Sequence, residues 1–301
     1  MTNGPPLLHR LRSLRRRVSA AAYIDIDRRV ETSLLVASSG RSGSTWVAEV
    51  LNHDNSYRLV FEPFRRDVVR EARPLRYGQY IAPDELDHPL AARIEKLLAG
   101  RVRGAWVDGY NLRRLARRRI VKEIRVTNLL PWIHARFPEL PIVYILRDPV
   151  AVARSWHTLG WGDVLDEFLA QDELLEQFPA ARSAIESISR DRAPMARHLL
   201  RWCLENTIPL RSLSSADTVH VVTYERLRSD PHAGFGCLFR AVGRQYDAAA
   251  AAAVGRRSAT ADYPRRRAAD DDPTWVPLAR ELTEVFGISR LLDGAWAASA
   301  S

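Results

Sequence analysis

Cysteine, lysine and long apolar stretches are scarce in this chain. Its 301 residues include two cysteines, Cys203 and Cys237, and neither stands in a CxxC motif or a metal-ligand spacing. This number excludes a disulfide framework, and we expect both thiols to be reduced and buried. No run of about eighteen apolar residues occurs, and the start of the chain lacks the apolar region of a signal peptide. We therefore expect a soluble, cytoplasmic protein.

Arginine supplies almost all of the positive charge, because Lys96 and Lys122 are the only lysines. With 45 Lys and Arg against 36 Asp and Glu, the formal net charge is +9. This excess fits a protein whose ligand is a polyanion. The arginines are spread along the whole chain rather than gathered with aromatic residues, so we expect no nucleic-acid partner. No group of histidines and carboxylates has metal spacing, so we expect no metal ion.

Apolar runs and helical patterns alternate along the chain. Residues 142–146 form a continuous apolar run, which is typical of a strand buried on both faces of a parallel sheet. Further strands are predicted at 58–61 and 218–224, and alternating apolar and charged residues over 121–126 predict a half-exposed strand. This order predicts an α/β fold in which helices flank both faces of a parallel sheet, in a single domain over residues 31–301.

Residues 1–30 form a separate basic segment. Within it, residues 5–22 carry leucines at helical spacing with arginines between them, which predicts a basic amphipathic helix. Such a helix packs on its own domain or on a partner subunit, or it contacts an anionic membrane surface. The sequence leaves these roles open.

One short stretch has the pattern of an anion-binding loop. A strand begins at residue 34, a Gly/Ser turn follows at 40–43, and a helix begins at Ser44 or Thr45. Glycines let the backbone approach a ligand closely, and the N–H groups at a helix start point at negative charge. The nucleotide triphosphate P-loop has a longer span between its glycines and a lysine before its Ser or Thr. Here the span is two residues shorter, and the cation is Arg41 inside the turn.

The segment Gly-Arg-Ser-Gly-Ser-Thr-Trp at 40–46 resembles the loop of sulfotransferases that use 3′-phosphoadenosine 5′-phosphosulfate (PAPS). It is most similar to the carbohydrate branch, in which Arg-Ser-Gly-Ser replaces the Lys-Ser-Gly-Thr of the cytosolic enzymes. The resemblance implies a P-loop-like fold, PAPS as the sulfuryl donor, and a hydroxyl of a carbohydrate or glycosylated small molecule as the acceptor. The donor-binding residues that it implies here are Arg41, Ser42, Gly43, Ser44, Thr45 and Trp46.

Two further motifs match this family. In sulfotransferases an Arg after a strand and a Ser eight residues later bind the 3′-phosphate of the donor, and the resemblance gives these roles to Arg147 and Ser155. A guanidinium forms a bidentate fork on phosphate, and Ser155 lies about two helical turns further on. Tyr224 begins a Tyr-Glu-Arg-Leu segment that resembles the family's Tyr-Glu-x-Leu. This tyrosine either lines the adenine site or is a core aromatic.

A base is needed to take the proton of the acceptor hydroxyl. Phe61-Glu62-Pro63 resembles the Tyr/Phe-Glu-Pro of the carbohydrate branch, where a Glu can serve as base, so Glu62 is the first candidate. Burial beside Phe61 and Pro63 would raise the pKa of Glu62, whereas Arg41 would lower it. The alternative role for Glu62 is a salt bridge with Arg41 or Arg65. As in the cytosolic enzymes, a histidine is the rival base, and the nearest histidines are His53, His134 and His157.

Lys122 is the remaining catalytic candidate. Lys122-Glu123-Ile124-Arg125 resembles the Lys-Gly-Val-Arg strand of the carbohydrate branch, with Glu123 in place of the glycine. By that resemblance Lys122 neutralises the sulfuryl group or the bridging oxygen; its alternative is a solvated charge on a strand. Near the C-terminus, Ser258, Thr260 and the arginines at 265–267 are either further 3′-phosphate ligands or a solvated loop.

Two other functions compete with sulfuryl transfer. A nucleotide-dependent kinase with an atypical P-loop would need magnesium, and the absence of the loop lysine argues against it. A non-catalytic basic module for nucleic acid or membrane would need its basic residues clustered on one face. Residues 65–100 and 158–195 match no known motif, so the acceptor cannot be named from the sequence.

Overall fold

A computed structural model describes residues 23–190, 193–213, 216–256, 258, 275–290 and 292. The helix predicted at 5–22 lies outside the described residues, as do Thr260 and the arginines at 265–267. The domain boundary at residue 30 therefore stays a prediction.

Five parallel strands form the central sheet, in the order β3-β5-β2-β6-β7. Two short parallel strands, β1 and β4, make a second small sheet that the sequence did not predict. The strands are β1 (Ile24–Asp25), β2 (Ser33–Ser38), β3 (Tyr57–Phe61), β4 (Leu115–Ala116), β5 (Arg118–Glu123), β6 (Ile142–Leu146) and β7 (Val219–Thr223).

Helices cover both faces of the central sheet. Along β2, Leu35 and Ala37 pack into one hydrophobic core, whereas Leu34 and Val36 pack into another, because successive side chains of a strand point to opposite faces. The predicted α/β fold with a parallel sheet flanked on both faces is confirmed. The helices are α1 (Ser44–Leu51), α2 (Ala91–Leu98), α3 (Leu130–Arg136), α4 (Pro149–Thr158), α5 (Leu165–Leu169), α6 (Asp172–Leu175), α7 (Arg182–Arg190), α8 (Pro194–Leu213), α9 (Tyr224–Ser229), α10 (Pro231–Ala241), α11 (Ala248–Val254) and α12 (Trp275–Val285).

The strand predicted at 121–126 needs correction. The observed strand is β5, Arg118–Glu123, and its last five residues are buried rather than half-exposed. It lies inside the sheet between β3 and β2, so its charged side chains are covered and must find partners there.

The prediction that both cysteines are buried is half wrong, because Cys203 is buried but Cys237 is exposed. No helix in the described part of the chain is long and apolar enough to cross a membrane.

Arg58 and Arg119 stand side by side at the start of β3 and β5, in register with each other. Together with Asp25 and Asp108 they form a fully buried group that we call the entry cluster. Arg58 donates to Asp108 Oδ1 at 2.8 Å and to Asp25 Oδ2 at 3.0 Å, and Arg119 donates to Asp25 Oδ1 at 3.0 Å. The cluster ties β1 and the segment around residue 108 to the sheet.

Candidate active site

A cleft of about 1510 Å³ opens where β2, β3, β5 and β6 end. Ligands of parallel α/β sheets bind at this edge, because the loops that follow the strands meet there. The donor-binding and catalytic residues predicted from the sequence line the cleft, with the exception of Ser42, which is buried. The predicted residues that line it are Arg41, Gly43, Ser44, Thr45, Trp46, Glu62, Lys122, Arg147, Ser155 and Tyr224.

The loop between β2 and α1 is held in a fixed shape by its carbonyl and hydroxyl groups. Gly40 O accepts a hydrogen bond from Trp156 Nε1 at 3.1 Å, and Arg41 O accepts one from Arg147 Nη1 at 2.7 Å. From α8, Asn206 Nδ2 donates to Ser39 Oγ at 2.8 Å. These bonds use the carbonyl oxygens of Gly40 and Arg41 and the hydroxyl oxygen of Ser39.

The amide groups of the same loop are available to a ligand. The N–H groups of Gly43, Ser44 and Thr45 donate to no backbone group among the described residues, and they stand at the start of α1. Gly43 has a φ of +88°, and a Cβ on it would lie 2.6 Å from the Tyr224 ring, so only glycine fits. Arg41 also has a left-handed backbone, with φ of 70°. Free amides, a helix start and a cation together make an anion-binding site.

The second predicted anion site directly contacts the first. Arg41 Nε donates to Ser155 Oγ at 3.1 Å, so the loop and α4 are joined by two of the predicted side chains. Arg147 lies over the Tyr224 ring, 4.4 Å from its centre, and its buried Nε has no partner among the described residues. A buried guanidinium nitrogen without a partner is costly, and an anion would satisfy it.

Local capping explains why Ser155 faces this site. The Asp148 carboxylate accepts a hydrogen bond from Ala151 N at 2.7 Å, and Pro149 is the first residue of α4. An Asp at the N-cap and a Pro at the first position are strong helix-start signals, so they fix where α4 begins. Ser155 then lies on the helix two turns later.

Trp46 and Tyr224 also line the cleft, and their rings contact each other. Their rings meet edge to face, with centres 6.1 Å apart, and Trp46 Nε1 donates to Val254 O at 3.1 Å. Ser258 lines the same part of the cleft. Tyr224 is therefore a cleft residue and packs against the second core as well.

Glu62 lies at the end of β3 and is paired with two cations. Its Oε1 is 2.6 Å from Lys122 Nζ, and its Oε2 is 3.0 Å from Arg125 Nη1. The sequence analysis gave a salt bridge with Arg41 or Arg65 as the alternative role of Glu62. Glu62 does form salt bridges, but its partners are Lys122 and Arg125. The backbone of Glu62 is left-handed, with φ of 44°, just before Pro63, where the chain leaves the sheet.

The electrostatics of Glu62 favour its charged form. Burial by itself raises the pKa of Glu62, but the Lys122 ammonium and the Arg125 guanidinium outweigh burial, and the pKa lies below its ordinary value of 4.5. Lys122 is 3% exposed, so it is not the solvated strand charge that the sequence left as its alternative role.

Glu123 supports this arrangement from below. Its Oε1 accepts hydrogen bonds from Ile124 N at 2.8 Å and Arg125 Nη1 at 3.0 Å, and its Oε2 accepts one from Phe64 N at 2.8 Å. Burial raises its pKa. The departure from the family's glycine is therefore a buried carboxylate that fixes Arg125 and the chain after Glu62.

Tyr77, Arg125 and Arg201 are among the cleft residues that were missed at the sequence level. Arg125 belongs to the quoted Lys-Glu-Ile-Arg segment, so its position was visible although its role was not. Arg201 is buried in α8 and donates to Glu205 Oε1 at 2.8 Å and to Tyr77 Oη at 2.7 Å. Nothing in the local sequence marks it.

The rival bases lie elsewhere. No histidine among the described residues lines the cleft. His53 packs against Phe239, His134 lies near Thr218, and the His157 ring faces His198. Within the described ranges, no three His, Cys, Asp or Glu residues come together as a metal site.

Several solved structures are similar to this chain, and three of them are sulfotransferases. Sulfotransferase STF9 from Mycobacterium avium is 14% identical; the alignment covers 94% of this chain and 83% of that chain, with a TM-score of 0.46. Mouse sulfotransferase SULT7A1, solved in complex with PAP, is 14% identical over 97% of this chain and 95% of that chain, with a TM-score of 0.47. A sulfotransferase from Alicyclobacillus acidocaldarius is 14% identical over 87% of this chain and 95% of that chain, with a TM-score of 0.40.

No curated protein sequence matches this chain. A family model does: the model described as "Sulfotransferase family" matches residues 34–248. That range contains the anion-binding loop, both of its neighbouring motifs and the Glu62 pair. Because the match spans more than half of the chain, the protein belongs to the sulfotransferase family.

Proposed function

We propose that the protein transfers a sulfuryl group from PAPS to a hydroxyl of a carbohydrate or glycosylated small molecule. One observation carries the proposal. The anion-binding loop and the Arg147–Ser155 pair are in direct contact within one cleft, which also holds a carboxylate at the end of β3. A donor with a phosphosulfate at one end of its ribose and a 3′-phosphate on the other side needs two such neighbouring sites.

Different residues would bind the phosphosulfate and the 3′-phosphate of the donor. The amides of the loop, its hydroxyls and Arg41 would hold the phosphosulfate, and Arg147 with Ser155 would hold the 3′-phosphate. Trp46 and Tyr224 offer aromatic surface for the adenine. The buried Arg147 Nε, which has no hydrogen-bond partner among the described residues, supports this assignment, because a phosphate oxygen of the donor would satisfy it.

Chemistry would take place between the loop and Glu62. Bound PAPS supplies an activated sulfuryl group, and positive charge at the loop stabilises the charge that develops on the phosphate side. Glu62 would accept the proton of the acceptor hydroxyl on a carboxylate oxygen. Lys122 and Arg125 keep Glu62 ionised, so it can take that proton without first losing one. Lys122 lies near the ends of β3 and β5 and would then offset negative charge on the reacting oxygens.

Aromatic side chains support a carbohydrate acceptor. Tyr77, Trp106 and Trp161 line the cleft, and aromatic faces can pack against the apolar face of a sugar ring. Arg65 already stacks on Trp106 at 4.2 Å, and Trp106 Nε1 donates to Glu62 O at 3.3 Å.

Ligand-induced stabilisation tests the donor. Thermal unfolding should shift upward with adenosine 3′,5′-bisphosphate, the product of transfer, and not with ATP plus magnesium. Arg147→Ala should weaken binding of the bisphosphate about tenfold or more, because it removes charged hydrogen bonds to phosphate. Stabilisation by ATP and magnesium alone would favour a kinase and overturn the proposal.

Turnover tests the base. Glu62→Gln keeps the shape of the side chain but cannot accept the proton. It should bind adenosine 3′,5′-bisphosphate nearly as well as the unmodified protein and lose about a hundredfold to ten-thousandfold in kcat. Transfer is measured with radiolabelled PAPS and a mixture of glycoside acceptors. Full turnover in Glu62→Gln would remove Glu62 from this role.

A further inference from the structure

Arg201 is a buried arginine whose donors are not all used. It is 1% exposed, although it lines the cleft. Its Nε is bonded to Glu205 and its Nη2 to Tyr77 Oη, while Nη1 has no hydrogen bond to any described residue. Nη1 is therefore the part of the guanidinium that is free to meet a ligand in the cleft.

The surroundings of Arg201 hold its plane in place. Its guanidinium carbon lies 3.9 Å from the centre of the Trp156 ring and 4.8 Å from that of Tyr77. Stacking and two hydrogen bonds leave the group little freedom, so a ligand would pay little entropy to engage it. This is a preorganised donor rather than a flexible surface charge.

Arg125 also lies near the ring of this tyrosine. Its guanidinium carbon is 5.8 Å from the centre of the Tyr77 ring. Only its Nη1 is bonded, to Glu62 and Glu123, among the hydrogen bonds of the described residues. Two guanidinium groups with unused N–H donors thus lie near Tyr77, and one of them, Arg125, is bonded to the proposed base Glu62.

Charge in this part of the cleft is positive. We call it the acceptor half: its cations are Arg65, Arg66, Arg76, Lys122, Arg125 and Arg201. The carboxylates that line it are Glu62, Asp67 and Glu167. Even with Glu123 and Glu205, which lie behind Arg125 and Arg201, the acceptor half has more cations than carboxylates. The donor's phosphates do not meet this surplus, because Arg41 and Arg147 serve them.

We propose that the acceptor carries an oxyanion, a carboxylate or a sulfate, which the unused N–H groups of Arg201 and Arg125 bind near Tyr77. This inference rests on the proposed function, since it describes the acceptor of that reaction. Arg201 is then a specificity-determining residue. It selects acidic acceptors over neutral ones of the same shape, because a neutral acceptor would leave the cation surplus and the N–H donors unmatched.

Three matched probes test the charge of the acceptor. The protein is first saturated with adenosine 3′,5′-bisphosphate and then titrated in a calorimeter with 4-nitrophenyl β-glucoside, 4-nitrophenyl β-glucuronide and 4-nitrophenyl β-glucoside 6-sulfate. The glucuronide or the sulfate should bind at least about tenfold more tightly than the glucoside. The better of the two identifies the oxyanion. If neither acid binds more tightly than the glucoside, the proposal is overturned.

The first step of that experiment separates the two proposals. A protein that does not bind adenosine 3′,5′-bisphosphate contradicts the proposed function itself. A protein that binds it but treats the three glycosides alike contradicts only the acidic acceptor.

Variants then locate the preference. The double variant Arg201→Gln, Glu205→Gln removes both members of a buried ion pair, so neither charge is left without its partner. In this variant the ratio of acid affinity to glucoside affinity should fall to near one. Binding of adenosine 3′,5′-bisphosphate should persist. Tyr77→Phe removes the hydroxyl that holds Arg201 Nη2 and should reduce the preference in part; it also serves if the double variant does not fold. Arg101→Gln, at an exposed pair with Glu95 outside the cleft, is the control and should keep the preference. An unchanged preference in the double variant and in Tyr77→Phe would overturn the role of Arg201.

Discussion

The two ends of the strand pair β3 and β5 both carry buried charges, yet they differ in what those charges can reach. At the start of the strands, Arg58 and Arg119 lie in the entry cluster, and at the end Glu62 and Lys122 lie at the cleft. All four side chains are at most 10% exposed. Burial alone therefore does not distinguish the two ends.

The pattern of hydrogen bonds does distinguish them. Arg58 is bonded to two aspartates and also to Gly100 O at 2.6 Å and Val102 O at 2.7 Å, all of them inside the protein. At the other end Glu62, Lys122 and Arg125 share few bonds and line an open cavity. A closed network of charges stabilises the fold, whereas an open one is available to a ligand. Strongly charged buried groups indicate a site only when they face a cleft.

The largest expected effect is at the closed end. Arg58→Met should lower the free energy of unfolding by about 3–5 kcal/mol, because it leaves the carboxylates of Asp25 and Asp108 buried with fewer partners. Urea denaturation followed by circular dichroism measures the loss.

Lys122→Met at the open end is the matched control. Arg125 remains beside Glu62 there and the cleft admits water, so this variant should lose clearly less stability than Arg58→Met. Equal losses in the two variants would contradict the distinction between the closed and the open end.

A smaller effect concerns pH at the open end. Since the pKa of Glu62 is lower in the folded protein than its ordinary value of 4.5, the folded state holds fewer protons there than the unfolded chain. Its contribution to stability is present above pH 4.5 and is lost as pH falls through the folded pKa. The free energy of unfolding should therefore decline less steeply with acid in Glu62→Gln. Identical slopes below pH 4.5 in the two proteins would show that Lys122 and Arg125 do not hold this pKa down.

The smallest effect is expected at an exposed ion pair. Arg101 and Glu95 lie 3.2 Å apart, and their side chains are 42% and 34% exposed. Arg101→Gln should change the free energy of unfolding by no more than about 1 kcal/mol, because water screens such pairs. A loss as large as that of Arg58→Met would mean that exposure does not separate strong from weak pairs in this protein.

Much of the fold was predictable because it follows local rules. The apolar run at 142–146 is β6 residue for residue, and the strand predicted at 58–61 is β3 with one residue added at its start. Strand β5 was placed wrongly because its charged residues mimic an exposed strand. Arg119, Lys122 and Glu123 are buried because each has a partner on another strand or loop, and local alternation cannot show such partners.

The sequence by itself determined the anion-binding loop, the alternating strands and helices of an α/β protein and the family, because glycine spacing, helix caps and apolar runs act over a few neighbouring residues. Only the tertiary structure decided that Arg41 contacts Ser155, that Glu62 pairs with Lys122 and Arg125, and that Arg201 reaches the same cleft from α8. These contacts join residues more than fifty positions apart, and their energy depends on burial and distance, which exist only once the sheet has brought the strand ends together.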